Sequence, residues 1–182
     1  MSRTLRIIVA LVALQAAFAG AYFWVEGRRS PDRSSQRALG TAPPRPESKP
    51  MPALELRARD GTRRELREMH RATLVHFWAT WCSPCRAELP GLLAVSEEHA
   101  IDVIAIALDP DWDEVERFLN GSPPKNMFLA DPQEVTAAFG IRTLPITYLV
   151  DAESRLRLRF DGARDWGDAA FVTQWSQAMA RQ

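Results

Sequence analysis

The chain has 182 residues, 46% of them apolar, which is enough for one packed domain with some sequence to spare. Basic and acidic residues balance at 23 each with no basic stripe among them, which argues against a nucleic-acid partner. Two cysteines are too few for a disulfide scaffold or a closed four-ligand zinc site, and His70, His76 and His99 show no ligand spacing to them.

Arg3 and Arg6 precede an apolar run over residues 7–25, interrupted only by Gln15 and Gly20. Such a run is long enough to span a bilayer as a helix, and Tyr22, Phe23 and Trp24 sit at its far end, where aromatic rings favour the interface. Ala17-Phe18-Ala19 has the small-x-small form of a signal-peptide cleavage site, but the run continues to Val25, which favours a retained anchor. Arg28, Arg29, Arg33 and Arg37 outnumber the arginines before the span, and charge counting alone would keep the following domain in the cytoplasm. Export is preferred because a dithiol on a membrane anchor has its use outside the reducing cytoplasm. Residues 1–26 are therefore read as an anchor or signal peptide, with the domain on the periplasmic or extracytoplasmic side. Residues 27–51 carry Pro31, Pro43, Pro44, Pro46 and Pro50 among Arg, Ser and small residues, a composition that reads as an extended tether. Residues 52–182 form the globular domain.

Leu54, Leu56 and Ala58 alternate with Glu55, Arg57 and Arg59 as a strand, and Asp60-Gly61 turns the chain into a returning strand over residues 63–66. Residues 73–79 are a short apolar run suited to a buried strand. Cys82 opens a helical stretch to about Glu98, and residues 101–108 are a β-branched strand of the kind found in parallel sheets. Asp111 caps a helix that ends near Asn120-Gly121. Asp131, Pro132 and Glu134 open another that Gly140 closes, with a short strand over residues 126–130 between the two. Residues 146–150 form a strand. Leu156, Leu158 and Phe160 alternate with arginines in the next, and residues 168–180 carry Phe171, Val172, Trp175 and Met179 on one face of a last helix. This order predicts an α/β fold with a central mixed sheet, helices on both faces and an N-terminal hairpin.

Trp81-Cys82-Ser83-Pro84-Cys85 falls where a strand meets a helix. That placement separates a redox pair from a half metal site or two inert buried thiols. The spacing brings the sulfurs within bonding reach in one helical turn. The helix N-terminus favours a thiolate on Cys82, the attacking species in exchange, while Cys85 lies deeper and can resolve a mixed disulfide. Pro84 suits the first helical turn, where its missing N–H costs little.

The segment from Phe77 through Cys82 and Cys85 to Glu88, Leu89 and Pro90 resembles the active-site segment of membrane-anchored thioredoxin-like proteins of the TlpA/ResA/DsbE type. Thr143-Leu144-Pro145-Ile146-Thr147-Tyr148 resembles the cis-proline strand of the same family. The resemblance implies a thioredoxin-like fold. It implies that Pro145 is cis and faces the disulfide, leaving the Leu144 backbone to pair with an extended substrate, with Thr143, Trp81, Ser83 and Pro84 beside it. It also implies that Glu88, one turn beyond Cys85, is an active-site carboxyl that relays a proton. Spacing alone would make Glu88 a solvated helix residue. His76 departs from the pattern, which has aspartate in thioredoxin and often asparagine in the resembling group. It reads either as a group that tunes the thiols or shuttles protons near neutral pH, or as a hydrogen-bonded core residue. Trp78 reads as core.

The expected reaction is thiol–disulfide exchange with no cofactor beyond the Cys82–Cys85 pair and no metal. With no third cysteine, another protein must recharge the pair. On the resemblance that is a membrane electron donor of the DsbD or cytochrome-biogenesis type, and the clients are protein disulfides, oxidised apocytochrome c among them. Ser83-Pro84 resembles the Gly-Pro of reducing thioredoxins, which favours a reductase over an oxidase. A peroxiredoxin would want threonine where Ala79 stands. A copper-delivery module using the same thiols, or an assembly factor inert toward insulin disulfides, are the other classes. Nothing demands more than a monomer.

Overall fold

A computed structural model describes residues 43–66, 71–98, 101–168 and 173. The apolar run over residues 7–25, the tether up to residue 42 and the expected last helix, apart from residues 168 and 173, lie outside the described residues. No helix among the described residues is long and apolar enough to cross a membrane.

Eight strands form one mixed sheet: β1 (Arg45–Pro50), β2 (Glu55–Arg57), β3 (Arg63–Glu65), β4 (Thr73–Trp78), β5 (Asp102–Ala107), β6 (Met127–Leu129), β7 (Ile146–Val150) and β8 (Arg155–Asp161). Among the described residues three helices join them: α1 (Ser83–Glu98), α2 (Trp112–Leu119) and α3 (Pro132–Phe139). The sheet order is β1-β8-β7-β4-β5-β6-β2-β3, with β4–β5 and β5–β6 parallel and the other pairs antiparallel.

The central strand β4 is buried along its whole length, and its period-2 alternation feeds two cores. Val75 and Phe77 join Val135 and Phe139 of α3, with Phe77 packed 4.9 Å from Phe139 between ring centroids. Leu74 and Trp78 face the opposite side, where Leu89, Leu92 and Val95 of α1 and Val115 of α2 cover them. Each fully buried large apolar side chain of this kind contributes about 1.5–3 kcal/mol. His76 lies on the α1 side of β4, a polar residue amid apolar ones.

The helix boundaries follow their expected signals. Asp111 accepts the Glu114 N–H, and Asn120 closes α2 in a left-handed conformation at φ 52°. Asp131 accepts from the backbones of Gln133 and Glu134, and Pro132 occupies the first turn of α3.

One boundary differs from the sequence reading. The tether was expected to run to residue 51, but residues 45–50 are β1, paired antiparallel with β8. This strand is almost wholly exposed, so it has no apolar alternation to betray it. Backbone pairing with β8, an Arg45–Asp161 ion pair and a bond from the Arg155 guanidinium to the Ser48 carbonyl hold it at the sheet edge, where Pro46 and Pro50 are tolerated. Met51, immediately after it, is buried and donates its N–H to the Ser154 carbonyl at 2.8 Å.

Candidate active site

β4 delivers the chain to the site and α1 receives it. After Trp78 the chain turns through residues 79–82, with the Cys82 N–H bonded to the Ala79 carbonyl at 3.1 Å. Asp109, just beyond β5 and buried, pins this turn. Its carboxylate accepts the Thr80 N–H at 3.1 Å and the Thr80 hydroxyl at 2.6 Å. Asp109→Ala leaves both donors without their acceptor and is expected to cost about 2–3 kcal/mol of stability by urea unfolding. A change within about 0.5 kcal/mol would mean that these bonds contribute nothing net to stability.

Cys82 takes the position ahead of α1, and its Sγ accepts the Cys85 N–H at 3.3 Å, as a serine or aspartate oxygen would at a helix cap. The α1 first turn holds no acidic residue, so no carboxylate there competes with a thiolate for the helix N-terminus. Cys82 and Cys85 are joined as a disulfide with Cα atoms 5.3 Å apart. Cys85 is fully buried, whereas Cys82 keeps a small exposed edge. Trp81, Ser83 and Pro84 are exposed around that edge, and Trp81, 69% exposed, is the exposed large apolar side chain among the described residues.

Leu144–Pro145 is a cis peptide. Leu144 is half-buried and packs against the apolar cluster that contains both cysteines, while Thr143 is exposed and Pro145 buried. The loop before β7 therefore lies against the disulfide's own cluster.

Glu88 is not a solvated helix residue. It is 2% exposed, and Oε2 accepts the Arg164 N–H at 2.7 Å and the Trp166 Nε1–H at 2.8 Å. Burial outweighs these bonds and the nearby Arg164 charge, raising the carboxyl to about 7 from 4.5. His76 is also fully buried, and its Nδ1 lies 2.9 Å from Thr147 Oγ1, the residue paired with it across β7. Burial lowers the imidazole to about 3. Of the two readings of His76, its burial and its bond to Thr147 fit the hydrogen-bonded core residue, and the buried group raised toward neutral pH is Glu88. Although His76 Nε2 lies 3.7 Å from Glu88 Oε1, a neutral imidazole makes no ion pair. Neither atom has another hydrogen-bond partner, and a buried polar atom left so costs about 1–3 kcal/mol.

Sequence reasoning missed Thr147, Asp109, Arg164 and Trp166. Thr147 carried a signal, being a polar residue inside a fully buried strand, as His76 is. Arg164 and Trp166 reach Glu88 from 76 and 78 residues away, and nothing local marks them.

A family model described as Redoxin matches residues 46–174. The chain belongs to the Redoxin family. Within this Redoxin frame it is 28% identical over 185 residues, spanning both chains completely, to the thiol:disulfide interchange protein DsbE homolog of Paracoccus denitrificans. It is 26% identical to the thiol:disulfide interchange protein HelX of Rhodobacter capsulatus, over 89% of each chain. Among solved structures, a putative thiol:disulfide interchange protein DsbE from Chlorobium tepidum superposes with a TM-score of 0.61 at 24% identity, over 72% of this chain and 96% of that one, a likeness of fold. A thio-disulfide isomerase from Thermus thermophilus gives a TM-score of 0.58 at 26% identity, over 72% of this chain and 96% of that one. This Redoxin-family chain has the thioredoxin-like fold and is a thiol–disulfide oxidoreductase of the DsbE/ResA type with a Cys82–Cys85 pair.

Proposed function

We propose that the protein is an exported, membrane-tethered reductase of protein disulfides, with oxidised apocytochrome c among its clients. The observation that carries this reading is the asymmetry of the pair. Cys82 sits at a helix N-terminus with an exposed edge, and Cys85 is sealed behind it.

In the reduced protein, the Cys82 thiolate attacks one sulfur of the client disulfide. That S–S bond breaks, one client thiolate leaves, and a mixed disulfide with Cys82 forms. The Cys85 thiol gives its proton to the Glu88 carboxylate and attacks the Cys82 sulfur. The Cys82–client bond breaks, the second client thiolate departs, and two electrons have passed to the client. Trp81, Ser83 and Pro84, with Thr143, Leu144 and Pro145, form the surface against which the client strand lies. A membrane electron donor of the DsbD or cytochrome-biogenesis type returns two electrons through its own thiolates by the reverse exchange, and Glu88 hands its proton back to the departing Cys85 thiolate. Residues 1–26 hold the domain on the extracytoplasmic side, and the tether that follows gives it reach.

The reduction potential of the pair tests the direction. A value near the thioredoxin range of about −270 mV is expected, and one near about −120 mV would make the protein an oxidase. A pair that retains metal and forms no disulfide with insulin as substrate would favour the copper-delivery reading.

A further inference from the structure

His76 stands on β4 between Thr147 of β7 and Ala105 of β5 and faces α1. Its Nδ1 meets the Thr147 hydroxyl at 2.9 Å, and its Nε2 meets Glu88 Oε1 at 3.7 Å. Glu88 Oε2 is already occupied by two N–H donors, so a proton on this carboxyl sits on Oε1, the oxygen facing the imidazole. The remaining gap is longer than a hydrogen bond, and a sub-ångström shift closes it.

We propose that His76 is a two-way tautomeric partner of Glu88. When Glu88 holds its proton, Oε1–H donates to Nε2 and Nδ1–H donates to Thr147 Oγ1. When Glu88 is a carboxylate, the imidazole carries its single proton on Nε2 and donates it to Oε1, while the Thr147 hydroxyl donates to Nδ1. The ring is neutral in both states, and one net proton leaves the pair between them. On the proposed function, that is the proton Glu88 exchanges with Cys85, while the ring proton moves from Nδ1 to Nε2 by exchange with water, so the inference rests on that reading for its use.

The residue types fit the task. A hydroxyl both donates and accepts, so Thr147 serves either tautomer, whereas a carbonyl or an N–H in its place would fix one. Burial keeps the imidazole from charging, with its own titration pushed down to about 3. The carboxylate form would receive three donors: the Arg164 N–H, the Trp166 Nε1–H and the His76 Nε2–H. The charged or titratable groups facing the pair are Arg164, whose positive charge favours the carboxylate, Asp161 acting on Arg164, and Cys85 one turn back on α1. From β5 there is only Ala105.

Histidine-selective ¹⁵N NMR of the oxidised full-length chain in detergent micelles tests this from about pH 5 to about pH 9, with the Glu88 carboxyl followed by ¹³C. His76→Asn identifies the signals. Nδ1 and Nε2 are expected to exchange their protonated and unprotonated signatures at the midpoint of the Glu88 titration, with no imidazolium. In Glu88→Gln the amide NH₂ donates to Nε2 and holds the Nδ1–H tautomer at every pH. A single tautomer throughout the Glu88 titration, or a swap that survives Glu88→Gln, overturns the proposal. Because the oxidised chain is observed at rest, a tautomer swap in a chain that does not reduce insulin would fault the proposed function alone. A fixed tautomer in an active reductase would fault the pair alone.

Discussion

Cys82→Ser abolishes disulfide exchange, a loss on the order of 10³-fold or more in insulin reduction, because a serine hydroxyl at a helix N-terminus does not ionise to an attacking group as a thiol does. Cys85→Ser has a different signature. The buried resolving thiol is gone while the attacking sulfur keeps its exposed edge, so mixed disulfides with client proteins accumulate and appear as a mass shift on non-reducing gels. Full activity in Cys82→Ser, or mixed disulfides trapped on Cys85 instead, would reverse the order of attack.

The second large effect is on stability against pH. Burial raises Glu88 to about 7 from 4.5, so across that window the folded chain holds a proton that the unfolded chain has released. Its contribution is complete below pH 4.5 and is lost as pH rises to 7. His76 acts with the opposite sign. Its titration falls to about 3 from 6.5, so the unfolded chain takes the proton and stability grows as pH rises through that range. The two slopes oppose each other between pH 4.5 and 6.5, where the parent protein changes little. Glu88→Gln removes only the first. The glutamine oxygen still accepts the Arg164 and Trp166 bonds, so above neutrality the variant should exceed the parent by up to about 3 kcal/mol. Urea midpoints measured in acid and in mild alkali check this, and equal midpoints in alkali would mean that Glu88 carries no burial cost. The same variant should slow turnover, because an amide cannot take the Cys85 proton.

Much of this was legible locally. The alternation of β4, the caps Asp111 and Asp131 and the strand-to-helix position of Cys82 are each set by neighbours in sequence, and the structure places them as the pattern predicts. What escaped was long-range or apolar-blind. By spacing alone Glu88 looks like any charged residue on a helix, and only the resemblance singled it out; its burial under the loop after β8 had no local signal. His76 reads equally as a titrating group or a hydrogen-bonded core residue until its burial is known. β1 escaped because it buries no apolar side chain, and hydrophobic pattern is the signal by which strands are read.

That last strand bears on how the protein is handled and where it is vulnerable. Without residues 45–50, β8 becomes the outermost strand, with a row of unsatisfied backbone groups next to Leu156 and Leu158. A bare edge of this kind invites a second copy to complete the ladder. A soluble form cut at Met51 would therefore be prone to self-association, while one starting at residue 43 would keep its edge sealed. Proteolysis has the same dividing line: upstream of β1 it would leave the sheet intact, and on the proposed tethering would free the domain, whereas within β1 it would expose a template for aggregation.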